Sequence, residues 1–215
     1  MKKVFVSFLS LLLLVSCDMF EVNRQSYVQG YREYGTVLTL DIGADGIITA
    51  SAQYSGRFAT IISTGEDKVW FDTLCEKYAD TSYKSTQKKG YKGQYEFLPQ
   101  CLTPDLMSID VTANAALFPD HPAGSSLADR MQITLHSVYD YVQAGYPEDN
   151  SSIRKQLLLS DLSTQDLMML ESMEHIFSLS FIEKPTIVST PVTLTVKCID
   201  DNGRAIIGTI QLSAE

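Results

Sequence analysis

Apolar and polar residues alternate along most of the chain, and this period of two predicts β-strands. Leu38, Leu40 and Ile42 alternate with more polar neighbours, and the alternation resumes over residues 48–54 after a turn at 43–46 that contains an Asp-Gly pair. Alternating runs around such a turn are typical of a β-hairpin. Shorter apolar runs predict further strands at residues 58–63, 68–72, 95–98, 109–113 and 133–142.

The C-terminal part of the chain has the most regular β pattern. Leu179 and Phe181 share one face of a predicted strand. Residues 192–198 and 206–212 form two alternating runs, and the Asp-Asp-Asn-Gly turn at 200–203 joins them. This arrangement predicts a second hairpin.

Many short strands separated by turn residues favour a sandwich. We therefore predict a mainly β fold, an immunoglobulin-like β-sandwich with one short helix. The alternative is a small N-terminal sheet, ending near residue 105, packed on a C-terminal sandwich. The helix is predicted at residues 163–177, where Ser163 and Asp166 have the spacing of a capping box. Its buried stripe would consist of Met169, Leu170, Met173, Ile176 and Phe177.

The first residues of the chain have a different character. Lys2 and Lys3 precede an apolar stretch at 4–15, which is shorter than the roughly 20 residues that a spanning helix needs. Its proportions are those of a secretory signal. Leu14-Val15-Ser16-Cys17 resembles the lipobox of bacterial lipoproteins. This resemblance implies cleavage before Cys17, a diacylglycerol on its thiol, and further acylation that makes the anchor stable.

The predicted organisation follows from that cleavage point. It consists of a signal peptide at 1–16, a lipidated tether at 17–26 and a single β-rich domain at 27–215, with a sub-boundary near 105 as the alternative. The domain has the size of one ordinary domain or two small ones.

The charge of the chain excludes one class of partner. The formal net charge is −9 at pH 7, and removal of the signal peptide takes away two lysines and makes the chain more acidic. Nucleic acid is therefore not expected as a partner, because its phosphates require Lys and Arg. The expected partners are the membrane, through the lipid, and a protein or a glycan.

One segment carries a family resemblance. Residues 121–129, HPAGSSLAD, follow the alternating run SIDVTA at 108–113 and precede FIEKPT at 181–186 and the closing hairpin. Together they resemble an uncharacterised family of small lipoproteins from gut anaerobic bacteria, over about residues 70–213. The resemblance implies an envelope location and a β-rich fold, and no chemistry.

The position of the anchor in the envelope has two interpretations. Asp18 directly after the cysteine resembles an inner-membrane retention signal. In the family that the chain resembles, acidic residues at this place, here Asp18 and Glu21, are more similar to a surface-export signal. We expect the outer membrane, with the inner membrane as the alternative.

Three cysteines remain after Cys17. Cys198 alternates with apolar residues and is expected to be a small buried hydrophobe. Cys75 and Cys101 are the candidate disulfide, which would close a loop of about 25 residues and contribute around 3 kcal/mol. The sequence leaves open whether these two cysteines are bonded.

Candidate chemistry is sparse. His121, His136 and His175 lack the spacing of metal ligands, so neither a metal nor a cofactor is expected. The chain has no Gly-x-Ser-x-Gly elbow. Ser126 and Asp129 could join His121 in a triad, but capping of a helical turn is the favoured interpretation of this spacing. We therefore predict that the protein is not an enzyme.

Aromatic residues give the clearest indication of binding. The predicted loop at 80–94 is rich in tyrosine and lysine, and exposed tyrosines bury contact area at low entropic cost. The favoured interpretation is nevertheless that these rings cover the edge of the core while the lysines keep the loop soluble. The candidate binding surface comprises Trp70, Tyr78, Tyr83, Tyr91 and Tyr95.

These observations predict a non-catalytic envelope lipoprotein with a binding or scaffolding role. One alternative is an adhesin or fimbria-like subunit, in which an edge strand receives a strand from a partner. The other is a hydrolase with an unrecognised site.

Overall fold

The computed structural model describes residues 25–83, 99–186 and 191–212. The predicted signal peptide, Cys17 and the predicted strand at 95–98 lie outside these residues. Tyr91 and Tyr95 of the candidate binding surface also lie outside them. In the part of the chain that is described, no helix has the length and apolar character needed to cross a membrane.

The described residues are mainly β and form a curled mixed sheet. The strands are β1 Gly30–Ile42, β2 Ile48–Thr60, β3 Gln100–Thr103, β4 Leu106–Ala113, β5 Met131–His136, β6 Arg154–Leu158, β7 Phe177–Phe181, β8 Val192–Asp200 and β9 Ala205–Leu212. Their order in the sheet is β4-β8-β9-β1-β2-β7-β5-β6, and β3 pairs with β1.

Strand β1 connects the two halves of the sheet. It pairs antiparallel with β2 and parallel with β3, and Val37 makes a single parallel bridge to Ile207 of β9. A Cβ on Gly208 would lie 2.6 Å from the Leu38 carbonyl oxygen, so β9 approaches β1 this closely only because that residue is glycine. All described strands therefore belong to one connected sheet, in which β3 branches from β1. The mainly β prediction is confirmed, whereas the immunoglobulin-like arrangement is not.

The inner face of the curled sheet holds the larger core. Its most buried residues are fully inaccessible to solvent and include Val111, Ile133, Leu194 and Val196. Each follows the predicted alternation, with inward apolar residues and outward polar ones. Full burial of one such side chain contributes roughly 1.5–3 kcal/mol.

Two helices cover part of the outer face. Helix α1 spans Gly65–Lys77 and helix α2 spans Tyr139–Gln143. Helix α1 buries Phe71, Leu74 and Cys75, which lie three to four residues apart as one helical face requires. These side chains belong to a second apolar cluster with Val28, Tyr31, Tyr78, Cys101, Tyr141 and Met169.

Three predicted elements differ from the structure. The predicted strand at 68–72 lies inside helix α1, because tertiary contacts bury the residues spaced three to four apart rather than the apolar run itself. The predicted strand at 133–142 ends at His136, and helix α2 follows. The predicted strand at 58–63 is the end of β2, which stops at Thr60.

The predicted helix at 163–177 is wrong. The capping pair does form: the Ser163 N–H donates to the Asp166 carboxylate at 2.9 Å, and the Asp166 N–H donates to the Ser163 hydroxyl at 3.3 Å. However, it encloses only the 3₁₀ turn Gln165–Leu167. The backbone then bonds to other segments, with Leu170 O accepting from Leu102 N at 2.8 Å, and Met169 adopts a φ of 49°. Tertiary hydrogen bonds therefore replace the helical ones.

Candidate functional site

A bulge in the β1–β2 hairpin builds the most distinctive surface feature. Arg32 pairs with Phe58 and Tyr34 pairs with Tyr54, so three residues of β2 lie opposite Glu33 alone. Gly56 lies in the middle of these three residues with a φ of +145°. A Cβ at that position would lie 2.9 Å from the Glu33 Cβ, so the bulge requires glycine there.

The bulge places two aromatic rings around one guanidinium group. The Arg32 Cζ lies 4.6 Å from the ring centroid of Tyr54 and 4.3 Å from that of Phe58. Both rings are 40% exposed. Without the bulge, residues 54 and 58 would be roughly 13 Å apart along an extended strand. We call Arg32, Tyr54 and Phe58 the arginine clamp.

The guanidinium of the clamp lacks a carboxylate partner. Within the described residues, Arg57, Arg130 and Arg204 each pair with an aspartate, whereas Arg32 forms no ion pair. The Arg32 Nε is buried and has no hydrogen-bond partner among these residues. Its Nη2 donates to the Gln100 Oε1 over a long 3.4 Å. The arginine clamp therefore holds a positive charge that no described carboxylate neutralises.

A neighbouring segment fixes the Tyr54 ring. The Tyr54 hydroxyl donates to the Met173 carbonyl oxygen at 3.0 Å and accepts from the Ser172 hydroxyl at 2.9 Å. Met173, whose carbonyl oxygen accepts this bond, is 49% exposed. Cation–π contacts of this kind are stronger where they are shielded from water. The two rings flank a planar guanidinium, and a group of this shape suits a planar anion.

The three described members of the predicted aromatic surface lie in different surroundings. Tyr78 is only 1% exposed and its hydroxyl donates to Asp105 at 2.7 Å, so it belongs to the interior. Trp70 is half-buried with the Arg57 Cζ 5.0 Å from its ring centroid. Tyr83 packs against the ring of Tyr27, 5.1 Å away between centroids.

The arginine clamp was missed by the reasoning from sequence. One signal was present, since Gly56 interrupts an otherwise regular strand pattern between Tyr54 and Phe58. An isolated glycine inside a strand indicates a bulge or a close backbone approach. The pattern alone did not indicate that Arg32 would lie opposite.

The segment with the family resemblance contains a network of charged groups. The two ring nitrogens of His121 lie 2.9 Å from Asp120 and 2.8 Å from Asp129, and Arg130 pairs with both carboxylates. Hydrogen bonds to Asp120 and then to Asp129 raise the pKa of His121. Both nitrogens must donate to hold two carboxylates, so the imidazolium form fits this geometry.

The serine of the candidate triad has a different partner. The Ser126 hydroxyl donates to Asp110 at 2.6 Å and accepts from the Ala128 N–H at 3.3 Å, before the 3₁₀ turn Ala128–Arg130. The His121–Asp129 pair therefore forms without the nucleophile. Ser126 only contacts the first residue of the turn, whose N-cap position is Leu127. The segment also covers an edge of β4, because the Leu127 N–H donates to the Val111 carbonyl oxygen at 2.8 Å.

A second serine–histidine pair lies on the surface. The Ser51 hydroxyl is 3.1 Å from the His175 Nδ1, but it donates to the Glu174 carbonyl oxygen at 2.8 Å. The proton is thus bonded to a carbonyl oxygen rather than to a base. Across the described ranges, no group of three His, Cys, Asp or Glu side chains could hold a metal ion.

The cysteines of the described residues are buried free thiols. Cys75 lies on α1 and Cys101 on β3, where its sulfur is 3.6 Å from the Met169 carbonyl oxygen. The candidate disulfide between them is therefore not formed, because each sulfur packs as a small apolar group. Burial raises the pKa of Cys75 to about 12. Cys198 is 1% exposed, as its alternation predicts.

Comparison of the chain with protein-family models, with curated proteins and with solved structures found no match. The resemblance of residues 121–129 to a lipoprotein family therefore stays a prediction.

Proposed function

We propose that this chain is a lipid-anchored, non-catalytic protein of the bacterial envelope that binds a partner through the arginine clamp. The observation that carries the proposal is the guanidinium of Arg32, which two half-exposed rings hold and no described carboxylate neutralises. Aromatic and arginine side chains are the residues that most often dominate binding energy at interfaces. A rigid guanidinium also loses little entropy when a ligand binds.

The anchor in this proposal is the lipid on Cys17, in the outer membrane. The lipobox-like sequence at residues 14–17 supports it. We expect the wild-type chain to incorporate labelled palmitate and to sediment with membranes. The variant Cys17→Ser should do neither. Equal labelling of both chains would contradict the lipid anchor.

The finer description of the fold in this proposal is an immunoglobulin-like sandwich. Val111 and Val196 from one end of the strand order share a core with Ile133 and Leu179 from the other end, which supports two facing layers. Nuclear Overhauser contacts between the methyl groups of Val196 and Ile133 or Leu179 are expected. Their absence would contradict the two-layer arrangement.

The strand edges favour binding through the clamp over addition of a partner strand. A fimbria-like subunit needs an open edge. Residues 124–127 bond to the edge of β4, and β6 is a strand of five residues that begins with Arg154 and Lys155. Short and charged edges resist pairing with another chain.

A site-specific photo-crosslinker tests the binding surface in intact cells. Placed at Phe58, it should give a discrete adduct with another protein. Placed at Thr209, an exposed position on β9, it should give none. The same adduct pattern from both positions, or no adduct from Phe58, would overturn binding through the clamp.

A further inference from the structure

We infer that the arginine clamp receives a single carboxylate of a protein partner, carried by a segment with an adjacent apolar side chain. The inference rests on the proposed function and specifies the chemistry of the ligand. It depends on the charge, the shape and the apolar surroundings of the clamp.

The charge of the clamp fits one carboxylate. Arg32 is one guanidinium, and the next arginine along the neighbouring strand, Arg57, already pairs with Asp67 at 2.7 Å. Glu33 lies beside it, and its carboxylate accepts the Arg57 N–H at 3.0 Å. A phosphate or a polyanion would meet these carboxylates, and the neighbouring described arginine, Arg57, is already paired. A group with a single negative charge avoids this repulsion.

The shape of the clamp also fits a carboxylate. A guanidinium presents parallel N–H groups in one plane, which match the two oxygens of a carboxylate. The rings of Tyr54 and Phe58 fix that plane. The bond from Nη2 to Gln100 is long, at 3.4 Å, so the hydrogen-bonding capacity of the terminal guanidinium nitrogens is not fully used. The Nε is buried, so it can report on a bound ligand but does not contact it.

The surroundings favour a peptide over a sugar acid. Phe58 and Met173 offer exposed apolar surface, and the Tyr54 hydroxyl already bonds to Ser172 and to the Met173 carbonyl oxygen. A sugar acid brings several hydroxyl groups, each of which needs a polar partner when it leaves water. An apolar side chain next to a carboxylate needs none.

The test uses the full-length protein in neutral detergent, labelled with ¹⁵N on arginine. The probes are N-acetyl-leucine, which carries a carboxylate, and N-acetyl-leucinamide, which does not. We expect the Arg32 Nε–H signal, identified by its loss in Arg32→Lys, to shift progressively with the acid in the millimolar range. The amide should leave it in place. An equal response to both probes would overturn the inference.

A third probe separates the two sources of a carboxylate. D-glucuronate should bind more weakly than N-acetyl-leucine, because its hydroxyl groups face apolar side chains. If glucuronate binds as tightly or more tightly, a peptide is the wrong occupant and the inference fails in that form.

The chain offers a matched control variant. Arg57 also lies over an aromatic ring, but its carboxylate position is already filled by Asp67. Arg32→Lys keeps the charge, loses the planar fork and should weaken binding of N-acetyl-leucine about tenfold. Arg57→Lys should change it less than about twofold. Equal losses in the two variants would contradict a specific role for Arg32.

The outcome is separable from that of the proposed function. The comparison of acid with amide needs only the wild-type protein, so a variant that fails to fold does not affect it. If the Phe58 crosslink forms while neither the acid nor the amide binds, the surface is a partner site and the carboxylate inference is wrong. If the acid binds and the crosslink is absent, the partner proposal is wrong and the clamp binds a different acid.

Discussion

The buried carboxylate of Asp105, just before β4, connects the C-terminal end of helix α1 with the backbone of Met169. One of its oxygens accepts from the Tyr78 hydroxyl at 2.7 Å and from the Lys77 ammonium at 3.1 Å. The other accepts from the Met169 N–H at 3.0 Å. The Asp105 side chain is 4% exposed, so water does not replace a lost partner. We therefore expect Asp105→Asn to destabilise the protein although it preserves the volume.

The magnitude follows from these bonds. The amide oxygen of an asparagine can still accept one bond, and its NH₂ group then faces the second buried donor. A buried donor left without an acceptor costs about 1–3 kcal/mol, and the remaining bond is weaker because the acceptor is neutral. Lys77 adds little, since its side chain is 42% exposed and water solvates it. We expect a loss of about 2–3 kcal/mol in the free energy of unfolding.

The matched control is Asp201→Asn. Asp201 bonds to the same lysine at 3.3 Å, but its side chain is 31% exposed. The expected loss is below about 1 kcal/mol, as for other exposed ion pairs. Urea unfolding monitored by circular dichroism measures the free energy of unfolding of both variants, provided that its slope with urea concentration is the same in each. A difference between them smaller than about 0.5 kcal/mol would refute the assignment of Asp105 as a buried acceptor.

Three further predictions follow from the site and the core. Gly56→Ala should lower the free energy of unfolding in urea more than Gly65→Ala does. Both residues have a positive φ, but only a Cβ at position 56 would clash with Glu33. Equal losses would contradict the bulge geometry. The raised pKa of His121 means that its stabilising contribution is complete below about pH 6.5 and is lost as the pH rises through the higher folded-state pKa. The melting-temperature difference between wild type and His121→Gln should therefore shrink between pH 5.5 and 8.5. A constant difference would argue against the imidazolium. Without reductant, iodoacetamide should alkylate Cys75 only after the chain is unfolded in urea, because burial raises the pKa of its thiol to about 12. Rapid labelling of the folded chain would contradict burial of the thiol. No labelling after unfolding would contradict a free thiol.

The sequence predicted the two hairpins well. Alternation at 38–42 and 48–54 and again at 192–198 and 206–212 identified their strands, and the structure pairs Leu40 with Ala50 and Leu194 with Ile210. Alternation is a local property, since successive side chains of a strand point to opposite faces. Turn residues then fix which neighbouring strands can meet.

The helices show why local patterns can mislead. Residues 163–177 have a capping pair and apolar residues at helical spacing. However, the Met169 N–H donates to the Asp105 carboxylate, and the Leu170 carbonyl oxygen accepts from the Leu102 N–H, so neither makes a helical bond. Residues 65–77 contain the apolar run that predicted a strand, yet they form α1 because Phe71, Leu74 and Tyr78 fit against the outer face of the sheet. Both signals were present in the sequence, and the packing of distant segments decided between them.

By itself, the sequence determined that the described chain would be mainly β, where the two hairpins would turn and that Cys198 would be buried. These features depend on the period of two and on turn residues, which act over a few positions. The tertiary structure alone decided the order of the strands, the position of the helices and the arginine clamp. The clamp requires a bulge that places Tyr54 and Phe58 around Arg32, which lies more than twenty residues earlier in the chain. Contacts over such separations depend on how the whole sheet curls, and no local pattern specifies that.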